Sequence, residues 1–138
     1  MTLFQKFTLG LSGVTALGIG LSIQAVPHAF YASYSIALGT DANLLSELRA
    51  PAAGLAALGA TMLMGLVRET WRDLAIRAAF LVFLAFPIGR IIGIFVDGMP
   101  SSSIMGALII ELVIAGLCLA AFGRSGAAKP DATFSTAT

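Results

Sequence analysis

Charge is the scarcest ingredient of this sequence. Asp, Glu, Lys and Arg make up 11% of its 138 residues, against about a quarter in soluble domains. The signs nearly cancel, leaving a formal net charge of +1, so no basic face exists for a phosphate backbone and nucleic acid is not expected as a partner. Cysteine occurs once, at Cys118, and histidine once, at His28. A single cysteine makes no internal disulfide and no redox pair; set in an apolar stretch, Cys118 reads as a small apolar filler. A single histidine makes no histidine-rich metal site, and His28, following a proline in a loop, reads as solvated. No Walker loop, dinucleotide fingerprint or Gly-x-Ser-x-Gly elbow occurs. The Gly-x-Gly at Gly18–Gly20 lies in an apolar run and reads as helix packing. The five methionines are scattered and form no copper-binding run. No metal and no cofactor is expected, and the chain is not read as an enzyme.

What the sequence has in excess is apolar length. Hydrophobic residues reach 58% and the mean hydropathy is +0.95. Water would not keep such a surface dispersed, whereas lipid covers it, and a spanning helix needs roughly 20 apolar residues. Four such segments fit, at about 3–26, 49–67, 74–96 and 101–122. They leave room for short loops and for a polar tail, 124–138, expected to be disordered. The predicted fold is all-α, a bundle of four transmembrane helices. A cleaved signal peptide competes for the first segment, with Lys6 as its basic region. Signal h-regions are only about 7–15 residues long, however, and this run is longer, with Gly10, Gly13, Gly18 and Gly20 spread like packing positions. Pro27 to Ser46 reads as a loop whose Phe30, Tyr31 and Tyr34 suit a membrane interface. Thr40 or Asp41 is placed to cap a short helix near Asn43. Pro51 then falls in the first turn of segment two, where it is tolerated. Segment two is rich in small residues, Gly54 among them, which let backbones approach. Trp71 is an interfacial anchor in the loop after it, Pro87 interrupts segment three with a kink, and Ser101, Ser102 or Ser103 caps segment four.

The basic residues orient the bundle. Lys6, Arg68, Arg72, Arg77, Arg124 and Lys129 fall on one side if four segments span, and Arg49 alone falls on the other. Positive charge stays in the cytoplasm. Both termini are therefore expected inside a bacterial inner membrane, with the first and third loops outside.

Two charges lie where lipid should be. Glu111 is about 15 Å below Ser101 at 1.5 Å rise per residue, near the centre of a core about 30 Å thick. Arg90 is seven positions before Asp97, roughly 10 Å below the same surface, and its long stem bridges the difference in depth. Each costs about 2.5–3.5 kcal/mol alone at a helix centre, so the expectation is that they pair. Glu47 is an alternative partner for Arg90, and Arg49 a weaker one for Glu111. Glu47, Arg49, Arg90, Asp97 and Glu111 are together the candidate cluster, gathered in the outer half. Gly89 and Gly93 flank Arg90 at a spacing that lets a neighbouring helix come close. Three readings of the cluster stay open: a clamp that fixes helix register, a polar pocket for a ligand or proton, and a contact for another subunit's charges.

Several stretches resemble a known family. They are Leu9-Gly10-Leu11-Ser12-Gly13, Leu38-Gly39-Thr40-Asp41, Ser46-Glu47-Leu48-Arg49-Ala50-Pro51, Gly89-Arg90, Asp97-Gly98-Met99-Pro100-Ser101 and Glu111. Over about residues 3 to 122 the chain resembles the bacterial domain-of-unknown-function family 4345, small four-helix membrane proteins that look distantly similar to DoxX-like ones. The resemblance implies the four-helix fold and implies that the charged positions matter, and it supplies no substrate. Two functions follow as expectations. One is a non-catalytic accessory or scaffold subunit, partnered by the lipid bilayer and by other membrane subunits or its own copies. The other is a binding or transport bundle with an outward-facing charged pocket for a small polar or anionic molecule or a quinone headgroup.

Overall fold

The structure, a computed structural model, describes residues 1–123. The tail expected over 124–138 lies outside the described residues. Helix α1 spans Leu3–Ala25, α2 Pro27–Ala32, α3 Ala42–Val67, α4 Arg72–Asp97 and α5 Ser102–Phe122, with one 3-10 turn at Glu69–Trp71 and no strand among the described residues. Helices α1, α3, α4 and α5 are long and apolar enough to cross a membrane, so the chain is an all-α membrane protein. The spans pack in a ring, α1 on α3, α3 on α4, α4 on α5 and α5 back on α1.

Local chemistry sets the helix ends. Thr2 caps α1 in a reciprocal box: its hydroxyl accepts from the Gln5 amide at 3.2 Å, and the Gln5 side chain accepts from the Thr2 amide at 3.0 Å. The same Gln5 donates to the Ala121 carbonyl at 2.9 Å, tying the start of α1 to the end of α5. Pro27 begins α2 in the first helical turn, where its missing N–H costs nothing. This short helix replaces part of the irregular loop expected there. Asp41 caps α3, its carboxylate accepting from Asn43 and Leu44 amides at 2.7 and 3.0 Å.

That cap corrects the expected start of segment two. The short helix near Asn43 and the span from Arg49 are one helix of 26 residues. At 1.5 Å per residue it is about 39 Å long, so its first turns extend beyond a hydrocarbon core of about 30 Å. Hydropathy marks only the apolar part, which is why the sequence boundary fell too late. Pro51 is consequently inside the helix and not in its first turn. Helix α4 likewise continues through Pro87 to Asp97. Ser101 is the N-cap residue of α5, yet its hydroxyl caps nothing there.

The core runs along the axis between Leu9, Ala16, Leu55, Met62, Ala75, Ala79, Val82, Phe83, Ile114 and Cys118, all buried. Close approach is concentrated on α1 and α3. A Cβ on Gly59 would strike the backbone of Leu17, and one on Gly20 would lie 2.6 Å from the Ala52 carbonyl oxygen. These glycines let the two backbones touch and gain dispersion contacts that lipid does not offer. Gly20 is one of the packing positions expected on the first segment, but other expected contact glycines make no such approach. Nothing lies within 4 Å of a Cβ on Gly54 or Gly89, and Gly93 would meet only Asp97 Oδ2 at 3.9 Å. Those faces look outward, because helix azimuth, which spacing alone does not fix, turns them away from the bundle.

Candidate functional site

Arg90 and Glu111 meet. Arg90 sits on α4 one turn past Pro87, and Glu111 sits midway along α5. Arg90 Nε donates to both carboxylate oxygens, at 3.0 Å to Oε1 and 2.9 Å to Oε2. The Glu111 side chain is 11% exposed and that of Arg90 31%. Arg90 is thus partnered by Glu111 and not by Glu47.

The other candidates do not join them. Glu47, Arg49 and Asp97 are exposed, and no salt bridge holds any of them among the described residues. Their position explains it. Glu47 and Arg49 ride the first turns of α3, and Asp97 is the last residue of α4. At helix ends they reach polar surroundings and need no buried partner. Arg49 does take part in a backbone contact, since Gln24 Nε2 donates to its carbonyl at 2.6 Å. The expected cluster of five is a pair, with three separate surface charges.

The pair forms part of the wall of a chamber of about 350 Å³. All four spans contribute: Thr15, Ile19 and Ile23 from α1, Leu48, Pro51 and Leu55 from α3, Val82, Phe83, Phe86 and Arg90 from α4, and Ile104, Ala107, Ile110 and Glu111 from α5. The segment after α1 adds Phe30, Tyr31, Tyr34 and Ile36. Its rings pack on one another, Phe30 on Tyr31 edge to face at 5.4 Å and on Tyr34 at 5.3 Å. The sequence reading placed these aromatics at an interface and did not foresee that they line a cavity. The α1–α2 junction brings them there: Val26 breaks the helix with φ −137° and ψ 60°, and Pro27 restarts it at once.

This segment is fastened at two places. The Ser101 hydroxyl donates to the Tyr34 carbonyl at 3.2 Å. His28 Nε2 lies 3.2 Å from the Gly39 carbonyl, as donor in the tautomer that protonates it. Ser35, at φ 63°, turns the chain between these points. Burial pushes the Tyr31 phenol above its ordinary pKa, and the Arg90 charge opposes that in part. Tyr31 therefore holds its proton at neutral pH and is a hydrogen-bond donor.

A second polar spot lies at the other end of the bundle. The Ser12 hydroxyl donates to the Thr8 carbonyl at 2.8 Å and sits 3.6 Å from Cys118 Sγ. All three residues are fully buried, and none lines the chamber. The serine bonds its own helix, as hydroxyls in apolar helices commonly do. Cys118 is buried as expected.

Comparison with known proteins adds the family and nothing further. The family described as "Domain of unknown function (DUF4345)" matches residues 4–122. No curated protein matches the chain, and no solved structure does. The match spans nearly the whole described bundle, and the chain belongs to that family.

Proposed function

We propose that this member of the DUF4345 family is a non-catalytic protein of the bacterial inner membrane that binds a small lipid-soluble molecule in its chamber. The observation that carries the reading is an ion pair in the wall of a mostly apolar cavity. A clamp whose only task is to fix register would be packed on all sides, since burial without further partners is costly. Here the pair adjoins about 350 Å³ of space, within the range of small-molecule sites, which are apolar with a few convergent polar groups. Ionisable groups inside spans mark ligand or ion paths by default.

The test is mass spectrometry of protein released gently from its own membranes. The wild type is expected to carry a lipid-soluble molecule that the chamber-filling variant Ala107→Trp lacks. Equal small-molecule content in both would end the reading.

The orientation belongs to the same proposal: both termini and the Glu69–Trp71 turn in the cytoplasm, the Asp97–Ser101 turn outside. It is supported by Lys6, Arg68, Arg72 and Arg77 at one end of the bundle. Cysteines placed at exposed Thr70 and Met99 should label from opposite faces, and labelling from one face would overturn it. An accessory role beside another membrane subunit is the second reading. Open space at Gly54, Gly89, Gly106 and Gly116 favours it, because small residues on an outward face let another helix approach. Co-migration with a larger protein on a detergent column would support that reading, and a lone monomer would count against it.

A further inference from the structure

The formal charges of the chamber cancel before any ligand enters. Arg90 and Glu111 are its only lining residues that carry charge at neutral pH, and they have already neutralised each other. Yet the pair is not saturated. Arginine carries five N–H donors in a planar fork, and Glu111 takes only the one on Nε. Neither Nη has a hydrogen-bond partner among the described residues. The wall thus offers unused donors without unused charge. Tyr31 adds a hydroxyl on the same wall, within the reach of the Arg90 charge.

We infer that the ligand is an uncharged, lipid-soluble molecule whose head accepts hydrogen bonds through a ketone, quinone or ester oxygen. Arg90 Nη and the Tyr31 hydroxyl are its donors, and Glu111 is a positioning residue that holds the guanidinium. The inference rests on the binding reading above and names its substrate class. An anion would have to displace Glu111 or leave a net negative charge in a water-poor site, and a cation would face Arg90; either is costly there. A neutral acceptor satisfies the free N–H groups and leaves the sum at zero. The space holds a ring-sized head, and apart from the Thr15 and Tyr34 hydroxyls the rest of the wall is aliphatic or aromatic. Phe86 and Ile110 line the chamber yet stay 43% and 56% exposed, so a tail has a way out toward lipid.

The test uses two probes with one ring and one tail, para-decylacetophenone and para-decylbenzoate, which differ in the charge of the head. Full-length protein in nanodiscs of neutral lipid is titrated at equal mole fraction of each, and the unfolding temperature is followed. The neutral ketone is expected to bind at least about tenfold tighter than the carboxylate, a difference of about 1.4 kcal/mol. In Glu111→Gln the order should reverse, because Arg90 then carries an uncancelled charge that an anion neutralises. A purely structural glutamate would leave the order unchanged. Tighter carboxylate binding by the wild type overturns the inference and leaves the binding reading standing. No shift with either probe also overturns it. The binding reading falls with it only if protein from native membranes carries no small molecule. The wild-type comparison stands whether or not Glu111→Gln folds.

Discussion

The two helix pairs of the bundle are joined in opposite ways. Helices α1 and α3 meet through missing side chains: at Gly59 and Gly20 one backbone lies directly on the other. Helices α4 and α5 meet, at the chamber level, through one of the longest side chains in the chain, Arg90 reaching Glu111. The first seam is uncharged, dense and continuous along the core. The second spans a gap with a polar bridge and leaves about 350 Å³ beside it. Lipid tails are as apolar as leucine, so helices gain nothing from simply being apolar. They gain from contacts that lipid cannot make, and close backbone packing and buried ion pairing are two such contacts. The glycine seam leaves no room between its backbones, and the ion pair allows the wall to stand away from its neighbours.

The largest effect should come from attacking the dense seam. Gly59→Leu drives a side chain into the Leu17 backbone, which cannot yield as a flexible tip would. A loss of about 4–5 kcal/mol or more, amounting to failure to fold, is expected. Gly54→Leu on the outward face of the same helix should stay within about 0.5 kcal/mol. Thermal unfolding in detergent reads both, and equal losses would dissolve the distinction between seam and surface.

Next is the polar seam. Arg90→Leu strands Glu111, and breaking a buried pair in this way costs about 3–5 kcal/mol. Adding Glu111→Leu should recover much of it, and a double-mutant cycle measures the coupling. Strict additivity would show that the pair does not hold α4 to α5.

A smaller contrast comes from added volume. Ala79→Leu enlarges a fully buried residue of the packed core and should cost about 1–3 kcal/mol. Ala107→Leu grows into the chamber and should cost under about 1 kcal/mol, with ligand occupancy reduced. Similar losses at both sites would mean that the two seams are equally dense.

The smallest effect is on the alkaline side. The folded pKa of Tyr31 is raised by burial, so the fold favours the protonated phenol. Its contribution is complete below the unfolded value of about 10 and is lost as pH climbs through the higher folded value. Wild-type stability should therefore fall more steeply above about pH 10 than that of Tyr31→Phe. Identical alkaline profiles would place the phenol in open water.

The four spans were legible because length and hydropathy speak directly to a bilayer. The Arg90–Glu111 pair was legible too, since depth along a helix follows from residue count and the cost of a lone charge demands a partner. What escaped depends on rotation about the helix axis. Gly54 and Gly93 have the same composition signal as Gly59 and Gly20, and only azimuth decides which of them face a neighbour. Glu47, Arg49 and Asp97 lie at plausible depth, but the length of α3 and the end of α4 carry them out of the core. A pocket beside Arg90 and Glu111 was one open reading, but its aromatic wall was not legible. It depends on Val26 and Pro27 redirecting a six-residue helix so that Phe30, Tyr31 and Tyr34 turn inward, and no periodicity announces a bend of that kind.

The bond from Ser101 to the Tyr34 carbonyl crosses 67 positions of sequence. It imposes an order on biogenesis. As the chain leaves the ribosome, α1 and α3 are available to each other early, and their glycine seam needs nothing that comes later. The segment holding Phe30, Tyr31 and Tyr34 has been made by then, but its fastening point on the α4–α5 turn has not. Glu111 follows Ser101 by a further ten residues, so Arg90 waits unpartnered until α5 is inserted. The chamber is therefore completed only after the first seam can form. A chain stalled after α4 would carry an intact first seam, an unfastened aromatic segment and a bare arginine in the bilayer.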